Sequence, residues 1–579
     1  MKYPKLRELQ SSRQMVDTFK GYNHNLRIGD GEFFDMKNMT SDHYPVLSPR
    51  GKRGVYASPD SPTGLIAKDA LCYVDGSKFV INEYEIDMGL NEEPKQLISM
   101  GAYVIIMPDK KWINTLDHTH GNIEAHFDNE ESGQSVQFSL CKVDGAEYEN
   151  ISSTEPENPE NLDLWMDTSS IPHTLKQYSK TNEAWVQVPT TYIKISCTGI
   201  GKAFNQYDGV TISGIKDKAL QDLNASHAIW AKDDDYIVVI GLLDAVISQS
   251  VDDGVISVDR QMPVMDFIIE SGNRLYGCRY GEAANGEVVN EIYASKLGDF
   301  KNWNCFMSIS TDSWVGGVGT DGQFTGAITH MGYPLFFKEN CVHKVYGNYP
   351  ANFQIQTTAC RGVQKDCEKS LAIVNETLFY KARNAVCAYD GSLPTEVSYA
   401  LGNEAYSEAV GGSHGNKYYI SMKDVSGFYH LFAFDTAKGM WHKEDDLQVD
   451  SFCSCRGELY AISGGKIITM LGSGEQDTED VEWMVQTGEI GISSPDAKYI
   501  SRLTLRMAMD VGAEVSIYAQ YDFSDVWESQ CVLTSTNLRS FSIPIRPKRC
   551  DHMKLRIEGR GNAKVYSITK TIEQGSELS

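Results

Sequence analysis

Short runs of alternating or continuous hydrophobic residues, separated by polar turns, occur through most of this chain. The pattern is clearest over residues 327–401, where one arrangement occurs twice. A hydrophobic strand meets a polar turn at Gly332-Tyr333 or Asn375-Glu376, and two further strands follow, the last closing on Tyr-Gly or Tyr-Asp-Gly. We expect the polar residues of this stretch, Lys338, Glu339, Asn340, Asn375 and Glu376, to fall at turns. A unit that recurs at about 40 to 45 residues is typical of the blades of a β-propeller.

Seven hydrophobic anchors mark the strand that we align between units as the innermost one. The last three steps between anchors are about 43, 40 and 41 residues, which is the length of a four-stranded blade. We therefore predict an all-β fold built on a seven-bladed β-propeller, with anchors near Leu71, Tyr103, Leu275, Leu335, Leu378, Tyr418 and Leu459.

The regular spacing of the anchors is interrupted between Tyr103 and Leu275, which lie about four blade lengths apart. We predict an inserted small β-barrel or sandwich over residues 117–259. The polar, proline-bearing stretch 153–163 should be a loop, because it has too little apolar surface to bury. The second half of the insert alternates as strands do, at 185–188, 192–195, 209–214 and 236–240.

The remaining boundaries follow from composition. An acidic, glycine-rich break follows Leu471, and five alternating segments beyond it predict a C-terminal β-sandwich over residues 480–579. The propeller then occupies 51–116 and 260–475, after an N-terminal arm and entry strand over 1–50. Helical periodicity is limited to 216–223.

Charge and hydropathy exclude several classes of function. A formal net charge of −25 argues against binding nucleic acid by neutralising phosphates. We find no apolar run long enough to span a bilayer and no secretion signal, so we expect the chain to be made in a cytoplasm. The thirteen cysteines lack a zinc pattern, although Cys453 and Cys455 share one face of a strand, and we expect free thiols.

Several residues could carry chemistry, but each has a simpler interpretation. His118, His120 and His126 resemble a metal cluster, yet they lie in a polar segment where solvated histidines are expected. The run Asp233-Asp234-Asp235 lacks the spacing of a calcium loop and is expected to be a solvated turn.

Other motifs point to enzymes or sugar binding only in part. The glycines of 199–201 and 316–319 lack the strand-glycine-helix context that binds phosphate. Ser310, Asp312 and Trp314 approach the sialidase-like turn but lack its glycine, and no carboxylate pair stands out for glycoside hydrolysis. Trp303, Trp314 and Trp441 could stack on sugars but are expected in the core. We predict no catalytic, cofactor-binding or metal-binding residue and no enzyme.

Two segments, 292–303 and 431–441, each contain the end of a strand, a polar turn and then a tryptophan. They resemble the corresponding part of kelch-type blades. The ordered combination of 19–23, 31–50, 262–267, 273–277, 298–303 and 335–347 resembles the β-propeller tail proteins of short-tailed bacteriophages, called stabilisation, tail-hub, tubular or nozzle proteins. Residues 208–214 resemble the small barrels that such proteins often carry. The C-terminal sandwich, with 547–552, departs from the best-known examples.

The resemblance implies a virion structural protein that forms a ring, as a homohexamer, around the DNA-exit channel of the tail. Its expected partners are copies of itself, upstream adaptor or connector proteins, and receptor-binding or fibre proteins. Viral DNA would pass through the lumen without specific binding, and the chain would be synthesised in the host bacterial cytoplasm. Two alternatives stay open: a carbohydrate-binding or glycan-hydrolysing propeller, and a kelch-like protein-interaction module.

Overall fold

The structure, a computed structural model, describes residues 11–82, 84–283, 286–476, 479–492, 497–534 and 538–574. The outermost residues of the predicted arm and of the predicted C-terminal sandwich, 1–10 and 575–579, lie outside this part. Strands dominate, so the prediction of an all-β chain is confirmed. Helix in the described part consists of short 3-10 turns, and none of its helices is long and apolar enough to cross a membrane. These turns are Lys218–Leu223, Val251–Asp253, Pro350–Asn352, Glu368–Ser370 and Tyr399–Leu401.

The N-terminal segment contributes short strands that mostly pair with distant parts of the chain. Two pairs form within the segment: β2 runs parallel to β3, and β4 pairs antiparallel with β5. The six strands are β1 (Ser11–Val16), β2 (Gly21–Tyr22), β3 (Glu32–Lys37), β4 (Met39–Thr40), β5 (Ser48–Pro49) and β6 (Gly54–Ala57).

Two antiparallel four-stranded sheets follow, and they pack on a shared core that includes Val74, Phe79 and Val104. Alternation of buried and exposed residues places these side chains between the sheets. The first sheet is β7 (Pro62–Lys68), β8 (Ala70–Asp75), β9 (Lys78–Ile81) and β10 (Tyr84–Asp87). The second is β11 (Gln96–Met100), β12 (Tyr103–Met107), β13 (Lys111–Asn114) and β14 (His120–Asn122).

Residues 125–260, which we name the insert, form three sheets of their own. Two of them, β15-β27-β22-β23 and β24-β25-β21-β16-β26, enclose a core around Phe138, Ile195 and Val258. The third, β17-β18-β19-β20, is named the small sheet, and 153–163 is a loop within it. The strands are β15 (Ala125–Asp128), β16 (Val136–Cys141), β17 (Asn150–Ser152), β18 (Leu164–Asp167), β19 (Thr174–Ser179), β20 (Ala184–Gln187), β21 (Tyr192–Ser196), β22 (Gly209–Ser213), β23 (Ser226–Ala228), β24 (Ala231–Asp233), β25 (Tyr236–Ile240), β26 (Ile247–Gln249) and β27 (Ser257–Arg260).

Five further antiparallel units follow the insert. The third unit of the chain is β28 (Phe267–Ser271), β29 (Arg274–Glu282), β30 (Val288–Ala294) and β31 (Trp314–Gly317). The fourth is β32 (Gly326–His330), β33 (Tyr333–Lys338), β34 (Cys341–Tyr346) and β35 (Gln354–Ala359). The fifth is β36 (Ala372–Val374), β37 (Thr377–Ala382), β38 (Ala385–Tyr389) and β39 (Thr395–Glu396). The last two are β40 (Tyr406–His414), β41 (Lys417–Asp424), β42 (Tyr429–Asp435) and β43 (Met440–Asp445); and β44 (Ser451–Cys455), β45 (Glu458–Ser463) and β46 (Lys466–Thr469).

The fourth strand of the seventh unit comes from the N-terminal segment, because β6 pairs antiparallel with β46. First strands of neighbouring units contact one another, β7 with β11, β11 with β28, β28 with β32, β36 with β40, and β40 with β44; β44 in turn contacts β7. The 3-10 turn Glu368–Ser370 contacts both β32 and β40. All seven sequence anchors lie on the second strand of a unit, so the strand aligned as innermost is not the one that makes these contacts.

The C-terminal strands form two sheets that both include N-terminal strands. One sheet has the order β1-β54-β49-β52. The other continues outward from β43 as β2-β3-β48-β53-β50-β51, which makes one sheet of ten strands with the sixth unit. The C-terminal strands of these two sheets are β48 (Glu482–Thr487), β49 (Lys498–Met509), β50 (Glu514–Tyr521), β51 (Glu528–Leu533), β52 (Arg539–Ile543), β53 (Met553–Arg560) and β54 (Ala563–Gln574). Strand β47 (Glu475–Gln476) instead pairs with β6 in the sheet of the seventh unit.

Candidate functional site: two buried joints

The insert is fixed to the third unit by a buried polar network, which we name the insert joint. Asp208 precedes β22, Arg260 ends β27, and Asn302 lies between β30 and β31. Arg260 Nη1 donates to one carboxylate oxygen of Asp208 at 2.5 Å, and Asn302 Nδ2 donates to the other at 2.9 Å. The three residues are 4% exposed or less. Removing any one of them would leave a buried charge or amide without its partner.

The backbone at Gly209 also packs closely against the third unit at this joint. The Gly209 N–H donates to Asn302 Oδ1 at 2.8 Å, and a Cβ at Gly209 would lie 2.7 Å from the backbone nitrogen of Cys305. Trp303 beside it is buried, and its indole N–H donates to the Phe300 carbonyl at 3.0 Å. The segment 298–303, part of the phage resemblance, therefore serves here to hold the insert.

A histidine bridge lies near the insert joint at the surface. His126 Nδ1 lies 2.6 Å from Asp259 Oδ1, and its Nε2 lies 2.9 Å from Asp128 Oδ2. Hydrogen bonds to Asp259 and then to Asp128 raise the pKa of His126 above its ordinary value. The bridge joins β15 to β27, the first and last strands of the insert.

The three histidines that resemble a metal cluster do not converge. The His118 ring lies 5.5 Å from the Tyr84 ring, and His120 is exposed on β14. Over the described ranges, no group of three or more His, Cys, Asp or Glu side chains is arranged to hold a metal ion.

A second network, the N-terminal joint, ties the N-terminal segment to β43. Arg53 donates to Glu444 Oε2 at 2.8 Å and to Asp445 Oδ2 at 2.6 Å, while Arg50 Nη2 lies 3.3 Å from the same Asp445 oxygen. Asn38 accepts from Arg50 Nε at 2.9 Å. Two positive and two negative side chains thus share one largely buried cluster.

Electrostatics within the N-terminal joint favour the charged forms of its central pair. Burial alone would raise the pKa of Asp445, but the charges of Arg53 and Arg50 outweigh it and lower that pKa. Burial alone would lower the pKa of Arg53, and Asp445 and Glu444 reverse the effect and raise it. Buried charges of this kind are stable only while they stay paired.

The ten-stranded sheet passes through this joint. Tyr22 of β2 pairs with Trp441 of β43, and Trp441 is buried with its indole N–H donating to the Val397 carbonyl at 2.7 Å. Trp303 and Trp441 are therefore core residues, as expected. Trp314 is partly buried, with its ring 5.3 Å from the Phe353 ring.

Buried lysines repeat at one position in two consecutive units. Lys338 ends β33 and is 1% exposed, so the prediction that it lies in a polar turn is wrong. Its Nζ donates to Thr320 O at 2.8 Å and to Asn290 Oδ1 at 3.0 Å. Lys381, three residues after the next anchor, donates to Gln364 Oε1 at 2.9 Å. Each lysine fastens the loop that leads into its own unit.

A cavity of about 280 Å³, lined by both polar and apolar residues, opens between the N-terminal loop and the two C-terminal sheets. Lys570 Nζ lies 2.6 Å from Asp30 Oδ1 at its edge. Its apolar lining includes Val16, Phe19, Ile490, Ile568 and Ile572. The cavity is the open end of the core between these sheets.

The other sequence candidates have structural partners. Asp312 Oδ2 accepts from the Met307 N–H at 2.7 Å, and Asp235 Oδ1 accepts from the Gly199 N–H at 2.8 Å. All thirteen cysteines are free thiols, including Cys453 and Cys455. In the described part of the chain, every Asp or Glu with a resolved shift has a lowered pKa, and hydrogen bonds or nearby cations cause the lowering.

Comparison with known proteins gives only distant similarity. No family model and no curated protein matches the chain. Among solved structures, an exo-β-1,3-galactanase from Phanerochaete chrysosporium matches at 10% identity and TM-score 0.20, covering 52% of this chain and 94% of its own. A Trypanosoma rangeli sialidase matches at 9% identity and TM-score 0.20, covering 98% and 96%.

A third match, at 12% identity and TM-score 0.20, is also a glycoside hydrolase. These matches are all enzymes, against the prediction that this chain is not an enzyme, and that prediction is withdrawn. At such low TM-scores the matches transfer neither a substrate nor an activity to this chain.

Proposed function

We propose that this chain is a structural protein of a bacteriophage tail that assembles as a homohexameric ring around the DNA-exit channel. Its body is a closed seven-bladed β-propeller over 51–116 and 260–475, interrupted by the inserted β domain 117–259 and followed by the C-terminal sandwich 480–579. Closure is supported by the contacts from β7 to β32, from β36 to β44 and from β44 back to β7, with the turn Glu368–Ser370 contacting both β32 and β40. The pairing of β6 with β46 supports it as well.

The observation that carries the proposal is the pair of buried joints. The insert joint fixes the insert to the third unit, and the N-terminal joint fixes the N-terminal segment to the sixth unit; side-chain exposures are 8% or less at Asp208, Arg260, Arg53 and Glu444. The C-terminal sheets are attached to the body through this N-terminal segment, because both include N-terminal strands. Subunits of a closed ring must present their interfaces at a fixed angle, because an error in angle accumulates around the ring. Rigid joints serve that requirement, whereas flexible linkers would serve independent binding modules.

Charge distribution supports passage of DNA without binding. The insert carries 22 Asp and Glu against nine Lys and Arg, about half of the acidic excess of the chain. An acidic surface along a lumen would repel phosphates and let a genome slide, whereas clamping would need clustered basic residues. In the virion, the insert and the C-terminal sheets would contact neighbouring subunits, the adaptor or connector, and the receptor-binding or fibre proteins.

Mass photometry and electron microscopy of the purified chain test the proposal. Rings, with six subunits each, are the expected result at high protein concentration or on a connector ring used as a template. A monomer under both conditions would contradict the ring. Release of reducing sugar from a polysaccharide panel would favour the carbohydrate alternative, and a monomer that captures a single peptide would favour the kelch-like one.

A further inference from the structure

The small sheet of the insert has two faces of different chemistry. Strand register places Trp165 opposite Lys176, and Tyr178 opposite Trp185. Because side chains alternate along a strand, all four lie on one face, which we name the aromatic face. The opposite face carries the aliphatic residues Leu164, Met166, Leu175 and Val188, which pack on Tyr148 and Leu140 in a small core.

The rings of the aromatic face form a contiguous group. The Trp185 ring lies 5.4 Å from the Trp165 ring and 5.4 Å from the Tyr178 ring, both nearly edge to face. Trp165 is 5% exposed and forms the base, while Trp185 and Tyr178 are partly exposed above it. Trp185 lies on β20, the edge strand of the small sheet, so solvent reaches it from the side.

Hydrogen-bonding groups surround these rings. Asp167 and Lys176 form an ion pair at 2.7 Å on the same face, and Gln187 is exposed beside them. The other positions that the four strands place there are polar, namely Asn150, Ser152 and Thr174. A protein-docking face is typically enriched in Met and Arg as well as aromatics. Rings combined with amide, carboxylate and ammonium groups instead suit a pyranose, whose C–H face stacks while its hydroxyls bond.

Nearby charge selects the kind of sugar. The loop 153–163 contains Glu155, Glu157, Glu160 and Asp163, and its end is bonded to Tyr178, whose N–H donates to Asp163 O at 2.9 Å. Lys176 is already paired with Asp167. A sialylated or uronic-acid glycan would therefore bring its carboxylate towards negative charge, whereas a neutral glycan would not.

We propose that the aromatic face binds a neutral hexopyranose glycan, with Trp185 and Tyr178 as the stacking residues and Asp167, Lys176 and Gln187 as hydrogen-bonding groups. This role goes beyond ring formation, since no residue of the small sheet belongs to either joint. Loss of sugar binding and loss of ring assembly are therefore separate outcomes.

The test begins with a glycan array that holds neutral and sialylated oligosaccharides, followed by calorimetric titration of the full chain with the best neutral ligand. Trp185→Ala and Tyr178→Ala should each weaken the affinity by about tenfold or more, which is about 1.4 kcal/mol. Trp185→Phe should restore part of the loss because it keeps a ring. Val186→Ala, on the same strand but the opposite face, is the matched control and should bind as the wild type does.

Circular dichroism and mass photometry on each variant separate loss of binding from loss of fold or of assembly. The proposal is overturned if no neutral glycan binds, if sialylated glycans bind better than neutral ones, or if a folded Trp185→Ala chain binds as tightly as Val186→Ala.

Discussion

Arg53 donates to Glu444 at 2.8 Å across a separation of 391 residues in the chain, and both side chains are buried. The pair joins the segment between β5 and β6 to the last strand of the sixth unit. It lies where the ten-stranded sheet turns from the repeated units towards the C-terminal strands.

Arg53→Met should destabilise the protein by about 3–5 kcal/mol, because Glu444 and Asp445 would keep buried charges with only Arg50 to compensate them. Urea denaturation followed by tryptophan fluorescence measures the loss. Lys78→Ala is the control: its pair with Glu85 is exposed to solvent, so its loss should change stability little. Equal effects of the two variants would contradict the importance of the N-terminal joint.

Asp208→Ala should loosen the insert, since Arg260 would become an unpaired buried cation and Asn302 would lose an acceptor. We expect new protease cleavage near 122–125 and 259–262 while the repeated units stay resistant. Limited proteinase K digestion with mass spectrometry of the fragments measures this, because residues 122–125 contain no Lys or Arg for trypsin to cut after. Asp233→Ala, at the exposed end of β24, should leave the digestion pattern unchanged; identical patterns for both variants would contradict the joint.

His343 should make the protein sensitive to acid. Burial, with a smaller effect of the Lys338 charge, lowers the pKa of His343 to about 4. The unfolded chain, with a histidine pKa of about 6.5, then binds the proton first, so stability is lost as pH falls from about 6.5 to about 4. His343→Gln should remove on the order of 3 kcal/mol from that pH dependence. Denaturation at pH 7 and pH 4.5 measures it.

The control for that experiment is His120→Gln, because His120 is exposed. It should keep the acid sensitivity of the wild type. A His343→Gln chain that loses stability between pH 7 and pH 4.5 as steeply as the wild type would contradict the assignment.

Lys338→Met should cost about 1–3 kcal/mol, because Thr320 O and Asn290 Oδ1 would lose their buried donor. The loop 318–325 should exchange its amide hydrogens faster, as measured by hydrogen–deuterium exchange. Lys344→Met is the control, since Lys344 lies partly exposed over Tyr333 and Tyr346. Unchanged exchange in 318–325 would contradict the fastening role.

Local periodicity identified much of the strand content. The anchors at Leu71 to Leu459 each fall on the second strand of a unit, and the alternating segments of the insert and of the C-terminal region are strands. The domain boundaries and the closure of the repeated units into a propeller are part of the proposal made above. Period-two patterns arise from side chains alternating between two faces, so they are readable without knowing which strands pair.

The pairing of strands that lie far apart in the chain has no comparable pattern in the sequence. Strands β2 and β6 are too short for periodicity, and their partners lie about 400 residues away in sequence. The strand-turn pattern places Lys338 at a turn, but its burial depends on Thr320 and Asn290 from another part of the chain, and lysine is rarely buried without such partners. The insert joint likewise needs Asp208, Arg260 and Asn302 to meet, which sequence spacing does not reveal.

The pairing of β6 with β46 sets an order on folding during synthesis. A ribosome that has made β6 must add more than 400 residues before β46 exists, and β1 waits still longer for β54. Domains generally fold as units, N-terminal ones first, as the chain emerges. The N-terminal strands therefore pair late: the nascent protein carries an unpaired edge on β6 until β46 is made, and one on β1 until β54 is made.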